Sequence, residues 1–194
     1  MAKIKWLADP AHSEVQFKAR HLMITTVTGY FKKFNVEVET EEEDFTRASK
    51  ILFTADINSI DTNNAQRDTH LKSNDFFAAN EYNELKFEGK KIERHNDNYL
   101  LYGDLTIRNI TKSIKVEVDY TGLVVDPYGQ TKAGFTITGK IKRKEFGLNW
   151  DAVTEAGQVV VSNDIRIHAE IQLIKQPQEK EKDKTIIIEE THHA

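Results

Sequence analysis

The residues best suited to chemistry stand together between Asp61 and Phe77. Arg67, Asp68 and His70 fall within four positions, Asp61 lies just before them, and Lys72 and Asp75 just after. A histidine beside a carboxylate can act as a general base. On a helix, however, Arg67 and His70 share one face, while Asp68 lies about 100° away. Asp68 and Lys72 have the i,i+4 spacing of a supporting ion pair, and Thr62 or Asn63 suits the N-cap. Capping and ion pairing therefore account for each polar residue without catalysis. The alternative is an enzyme that uses Arg67, Asp68 and His70.

Other chemistries find less support. The chain has no cysteine, so thiolate nucleophiles, thiolate metal sites and disulfides are excluded. His12, His21, His70, His95 and His168 are scattered, and His192 and His193 form a lone pair near the end. None has the spacing of a metal site, so the expectation is no metal and no catalytic residue. The chain carries 27 basic and 31 acidic residues, a net charge of −4. That balance argues against a nucleic-acid partner. The short basic cluster from Lys140 to Lys144 reads as a solvated hairpin.

The elements around these residues read as β-structure. Val15, Phe17 and Ala19 alternate with polar neighbours, as do Phe34, Val36 and Val38, and Ile51, Phe53, Ala55 and Ile57. Leu85 and Phe87 continue the pattern. Longer stripes follow at Tyr99–Ile107, Ile114–Tyr120, Phe135–Ile141 and Ile165–Leu173. Period two with one polar face marks half-buried antiparallel strands. The segments 95–98 and 126–129 supply hairpin turns, with Pro127 and Gly129 at the second and fourth positions of a type I turn.

About eight such strands, with almost no amphipathic helix to cover them, bury their apolar faces by closing on themselves. The expectation is an all-β antiparallel barrel with a short helical cap around residues 63–80. An eight-strand barrel is either filled by side chains or holds one small ligand, and pattern alone leaves both open. Gly103 and Gly139 on the inward stripes permit bending or make interior room, with bending favoured. Residues 1–175 form the domain. Residues 176–194, mixed in charge around Ile186–Ile188, form a tail. No apolar run approaches the roughly 20 residues of a membrane helix, and no signal peptide is visible. The expected location is cytoplasmic, or periplasmic if a signal was removed.

The motifs combine into a resemblance. They run from Trp6-Leu-Ala-Asp9 and Val15-Gln-Phe17 through His21 and Gly29-Tyr-Phe31 to Arg67-Asp-x-His70-Leu-Lys-Ser73 and Asp75-Phe-Phe77. Gly103-Asp-Leu-Thr-Ile-Arg108, Lys142-Arg143, Phe146-Gly-Leu148 and Val159-Val-Val-Ser162 complete the series. Over about residues 3–174 this order resembles the YceI-like family, whose lipocalin-like barrels enclose a long polyisoprenoid. The resemblance implies non-catalytic binding of an isoprenoid lipid, such as a quinone or polyprenyl phosphate, with no cofactor besides that lipid. It also implies a homodimer, while the lack of a long apolar run predicts no stable membrane insertion. The alternative is an enzyme acting on a lipid or quinone-like substrate with Arg67, Asp68 and His70 at the barrel mouth.

The inward stripes and the resemblance together select the residues expected around the ligand. Phe17, His21, Phe31, Phe34, Phe53 and Ile57 come from the first half. The cap contributes Arg67, His70, Phe76 and Phe77. Phe87, Leu105, Ile107, Phe135, Phe146, Leu148 and Trp150 follow. Arg67 and His70 are expected at the head group, with Arg143 and Lys72 behind them.

Overall fold

The computed structural model describes residues 3–152 and 160–178. Its strands are β1 (Lys3–Ala8), β2 (Glu14–His21), β3 (Thr25–Phe31), β4 (Phe34–Glu41), β5 (Asp44–Asp56) and β6 (Ile60–Asp61). They continue with β7 (Glu84–His95), β8 (Asn98–Ile107), β9 (Ile110–Val125), β10 (Thr131–Lys142) and β11 (Asp164–Lys175). Every pairing is antiparallel. Eight strands close a ring in the order β1-β4-β5-β7-β8-β9-β10-β11, and β1 returns to β11. The expected barrel is thus present, and closure leaves these strands few open edges.

The long β11 pairs with β10 along one edge and serves two partners along the other. Its last residues pair with β1, with Trp6 opposite Lys175. Its upper half pairs with β2, with Lys18 opposite Arg166 and Val15 opposite Ala169. A 3-10 turn at Pro10–His12, capped by the Asp9 side chain on the Ala11 N–H, separates the two contacts. From β2 the sheet runs on through β3 to β6. β6 leads into the one α-helix among the described residues, α1 (Ala65–Lys72), at the end of the barrel where β5 stops and β7 starts.

The far end is closed by aromatics. Trp6 is fully buried and its Nε1 donates to Thr40 Oγ1 at 3.0 Å. Phe45 packs on Trp6 with ring centroids 4.8 Å apart and on Phe135 at 4.9 Å, and Tyr120 lies 5.2 Å from Phe135. A fully buried side chain of this size stabilises the fold by roughly 1.5–3 kcal/mol, a range that applies to Trp6 and less to the partly exposed Phe45 and Tyr120. At Gly103, an added Cβ would stand 2.5 Å from the Phe87 ring and 2.5 Å from the Glu88 carbonyl. The glycine makes room for a neighbouring ring. The nearby register shift lies on the facing strand, between Gly89 and Lys91.

The expected short helical cap is present. Only eight residues are helical, and Ser73 ends the helix with its N–H on the His70 carbonyl. The amides of Phe77, Ala78 and Ala79 then turn back onto Leu71, Ser73 and Lys72. The N-cap is Asn64, which accepts from the Arg67 amide at 3.0 Å, and not Thr62 or Asn63. Asn63 instead adopts a left-handed conformation (φ 64°) that aims the chain into the helix. No helix among the described residues is long and apolar enough to cross a membrane. Of the expected tail, residues 179–194 lie outside the described residues, and Ile186–Ile188, His192 and His193 with them.

Candidate ligand cavity

Arg67, Asp68 and His70 of the cap are each bonded to their surroundings. Asp68 Oδ1 accepts from the Thr62 amide at 2.8 Å and from its hydroxyl at 2.5 Å, so the expected pairing with Lys72 does not form. Arg67 Nε donates to Thr62 Oγ1 at 2.8 Å, and Nη2 donates to the Thr62 carbonyl at 2.6 Å. His70 Nε2 lies 2.9 Å from Asp75 Oδ2, with its ring edge-on to Trp150 at 4.8 Å and Phe76 at 5.2 Å. Arg67 and Asp68 converge on buried Thr62, while His70 turns to an exposed carboxylate. The three do not share one reacting centre.

Beneath the cap, a cavity of about 440 Å³ runs into the barrel. That volume falls within the range of about 300–1,000 Å³ common for small-molecule sites. Phe76 and Phe77 stand at its cap end, where Phe77 meets Phe31 at 6.2 Å and Phe31 meets Phe17 at 5.5 Å. Phe45 and Phe135 stand at the other. Between them the inward residues of the strands form an apolar wall that includes Phe53, Phe87, Leu105 and Ile107. The few polar residues on the wall are Gln16, Arg20, His21, Thr62, Arg67, His70 and Arg143, and no Asp or Glu lines it among the described residues.

Fourteen of the expected side chains reach this cavity: Phe17, His21, Phe31, Phe53, Arg67, His70, Phe76, Phe77, Phe87, Leu105, Ile107, Phe135, Leu148 and Trp150. Phe34, Ile57, Phe146 and Lys72 do not line it. Phe34 opens β4 and packs on Phe53 at 6.2 Å, at the rim. Ile57 and Phe146 sit in 3-10 turns, almost wholly buried between turn and wall. Alternation cannot place residues that have left the strand.

Arg143 lies on the wall, but its donors are committed to the chain. It is 2% exposed. Nε donates to the Ser162 carbonyl, Nη1 to the carbonyls of Leu148 and Trp150, and Nη2 to the Val161 carbonyl and Asp151 Oδ1. Lys144 also pairs with Asp151. The lysine ammonium first, and the guanidinium with it, hold the Asp151 carboxyl below its ordinary pKa. One guanidinium thus ties together the two stretches of lip, 148–151 and 161–162, that carry Leu148, Trp150 and Val161 to the cavity.

The model of the YceI-like domain matches residues 6–173. The chain belongs to the YceI-like family. A UPF0312 protein of Staphylococcus epidermidis is 37% identical over 166 residues, covering 85% of this chain and 94% of that protein. A UPF0312 protein of Staphylococcus aureus is 37% identical over 164 residues, 83% and 92% of the two chains. The solved YceI protein of Campylobacter jejuni is 30% identical with a TM-score of 0.69, covering 81% and 90%. A polyisoprenoid-binding domain from Saccharophagus degradans, 13% identical, shares the fold with a TM-score of 0.66 over 88% and 98%.

In this YceI-like barrel several lining residues escape sequence reasoning. Val36, Ile92, Leu101 and Ile137 sit on stripes or strand phases that could have found them. Phe45 had no such signal. It is the second residue of β5, next to a run of acidic residues, and register shifts at Glu39/Thr40 and Thr40/Glu41 interrupt the ladder between it and Ile51. No group of three or more metal-binding side chains exists among the described residues.

Proposed function

We propose that this YceI-like barrel binds a long isoprenoid lipid, such as a quinone or polyprenyl phosphate, in its interior without transforming it. The observation that carries this reading is the cavity, apolar from Phe76 and Phe77 down to Phe45 and Phe135, with no carboxylate on its wall among the described residues. The polyisoprenoid-binding neighbour supports the same class of ligand. Against an enzyme stands the separation of His70, bonded to Asp75, from Arg67 and Asp68, which are both occupied by Thr62.

Each isoprene unit carries five carbons, which at about 0.8 kcal/mol per buried CH₂ contribute about 4 kcal/mol. Association opposes this with about 4–15 kcal/mol. Short prenols therefore bind weakly, and affinity climbs steeply with each added unit until the cavity is full. Titration with prenols of increasing length, with mass spectrometry of an organic extract of the untagged protein, tests the reading. A flat response to chain length, with no lipid in the extract, would overturn it.

A further inference from the structure

The turn joining β2 to β3 is an anomaly in both conformation and composition. The Ile24 amide donates to the His21 carbonyl at 3.1 Å, and the two central residues are left-handed, Leu22 at φ 51° and Met23 at φ 59°. This is the turn of type I′, which favours Asn-Gly because a Cβ crowds the carbonyl oxygen at positive φ, a cost that glycine avoids and asparagine offsets by local hydrogen bonding. The chain places Leu-Met there. Met23 is 56% exposed and Ile24 is 73% exposed. Neither turn propensity nor solubility explains two bare apolar side chains on a strained tip.

The tip stands on the cavity rim. Its neighbours Arg20 and His21 line the cavity, the Leu22 amide donates to the Val160 carbonyl at 2.8 Å, and His21 bridges to Val161. On the outer face of the adjoining strands, Lys140, Arg166 and Lys18 stand directly opposite one another across β10, β11 and β2. All three are exposed. Like charges so placed repel and destabilise the sheet. Arg20 lies two residues nearer the tip and Lys142 one row nearer the cap end, while Asp164 pairs with Lys140 at 3.3 Å. Farther from the mouth the same face turns acidic, with Glu170 opposite Glu14. The molecule's overall negative charge thus conceals a basic band at the mouth, of the kind that could steer that end toward an anionic surface.

We propose that the Met23–Ile24 tip and the band of Lys18, Arg20, Lys140 and Arg166 dock the barrel mouth reversibly on an anionic phospholipid surface. Two apolar side chains enter the headgroup layer while the band meets lipid phosphates. Exchange of lipid between that surface and the cavity rests on the function proposed above; docking does not.

The test is flotation of the full chain with vesicles of phosphatidylcholine, alone or with about one-third phosphatidylglycerol. The expected result is binding at least about tenfold tighter to the anionic vesicles, weakening with salt. Met23→Gly relieves the left-handed strain, and Arg166→Glu places a carboxylate between Lys140 and Lys18. Both variants should melt higher than the wild type and yet bind anionic vesicles about tenfold less tightly. A merely structural role for either residue would not move stability and binding in opposite directions. Equal partition to both vesicle types, no flotation at all, or unchanged binding by Met23→Gly would overturn the proposal. So would binding to single-stranded DNA as tight as to anionic vesicles. Movement of a fluorescent prenol between vesicles separates the two readings: docking without transfer leaves the surface standing and counts against the lipid-binding function.

Discussion

Arg143→Met is the perturbation with the largest consequence that the structure supports. Methionine replaces the stem but removes all five hydrogen bonds to Ser162, Leu148, Trp150, Val161 and Asp151. At about 1.5–3 kcal/mol for each bond to a charged group, a simple sum would overshoot. Asp151 keeps Lys144, and carbonyls freed by an opening lip find water. The nearer guide is the loss of one partner of a buried charged network, about 3–5 kcal/mol. For a chain of this size that lowers the melting temperature by about 6–20 °C. Arg143→Lys keeps the charge but loses the planar fork, and falls between the two. The assay is urea unfolding alongside prenol dissociation, because the lip carries Leu148, Trp150 and Val161 to the cavity. Stability within about 1 kcal/mol of wild type, with unchanged prenol dissociation, would refute the view of Arg143 as the strut of the mouth.

Three further outcomes can be measured. Asp9 is held below its ordinary pKa first by its hydrogen bond from His12, Asp126 first by the Gln130 amide, and Asp151 first by Lys144. Their stabilisation is complete above the unfolded value of about 4 and is lost as pH falls through the lower folded values; urea midpoints should drop below about pH 4, and less steeply in Asp126→Asn. Gly29→Ala would put a Cβ 2.1 Å from the Phe17 ring, which must swing toward the cavity; the expected results are a loss of about 1–3 kcal/mol in unfolding and weaker binding of the longest prenols by titration. Thr62→Val removes the hydroxyl shared by Arg67 and Asp68 in a buried position, destabilising by about 1–3 kcal/mol and speeding amide exchange across α1.

The amino-acid sequence by itself determined the strands and their inward faces. Period-two alternation is local and strong, so it alone points Phe53, Phe87, Leu105 and Ile107 inward, and the aromatic pair Phe76–Phe77 marks the cap. The turn at Asp126–Gly129 was equally legible, since Gly129 takes φ 83° and donates to the Asp126 carbonyl at 3.1 Å. Tertiary structure alone decided where alternation stops. Phe45 keeps the odd phase of Ile51 and Phe53, but polar Arg47 and Ser49 and two register shifts interrupt the stripe, so only the fold shows that it faces inward, while turns took Ile57 and Phe146 away from the cavity. Only the fold brought Lys18, Arg166 and Lys140 into one row, because they lie on three strands far apart along the chain. It also settled the fate of Arg143, whose five partners lie on two segments that meet only when the lip closes. Periodicity records which way a strand faces; it cannot record which distant carbonyls a buried guanidinium must satisfy, and that requirement shapes the mouth.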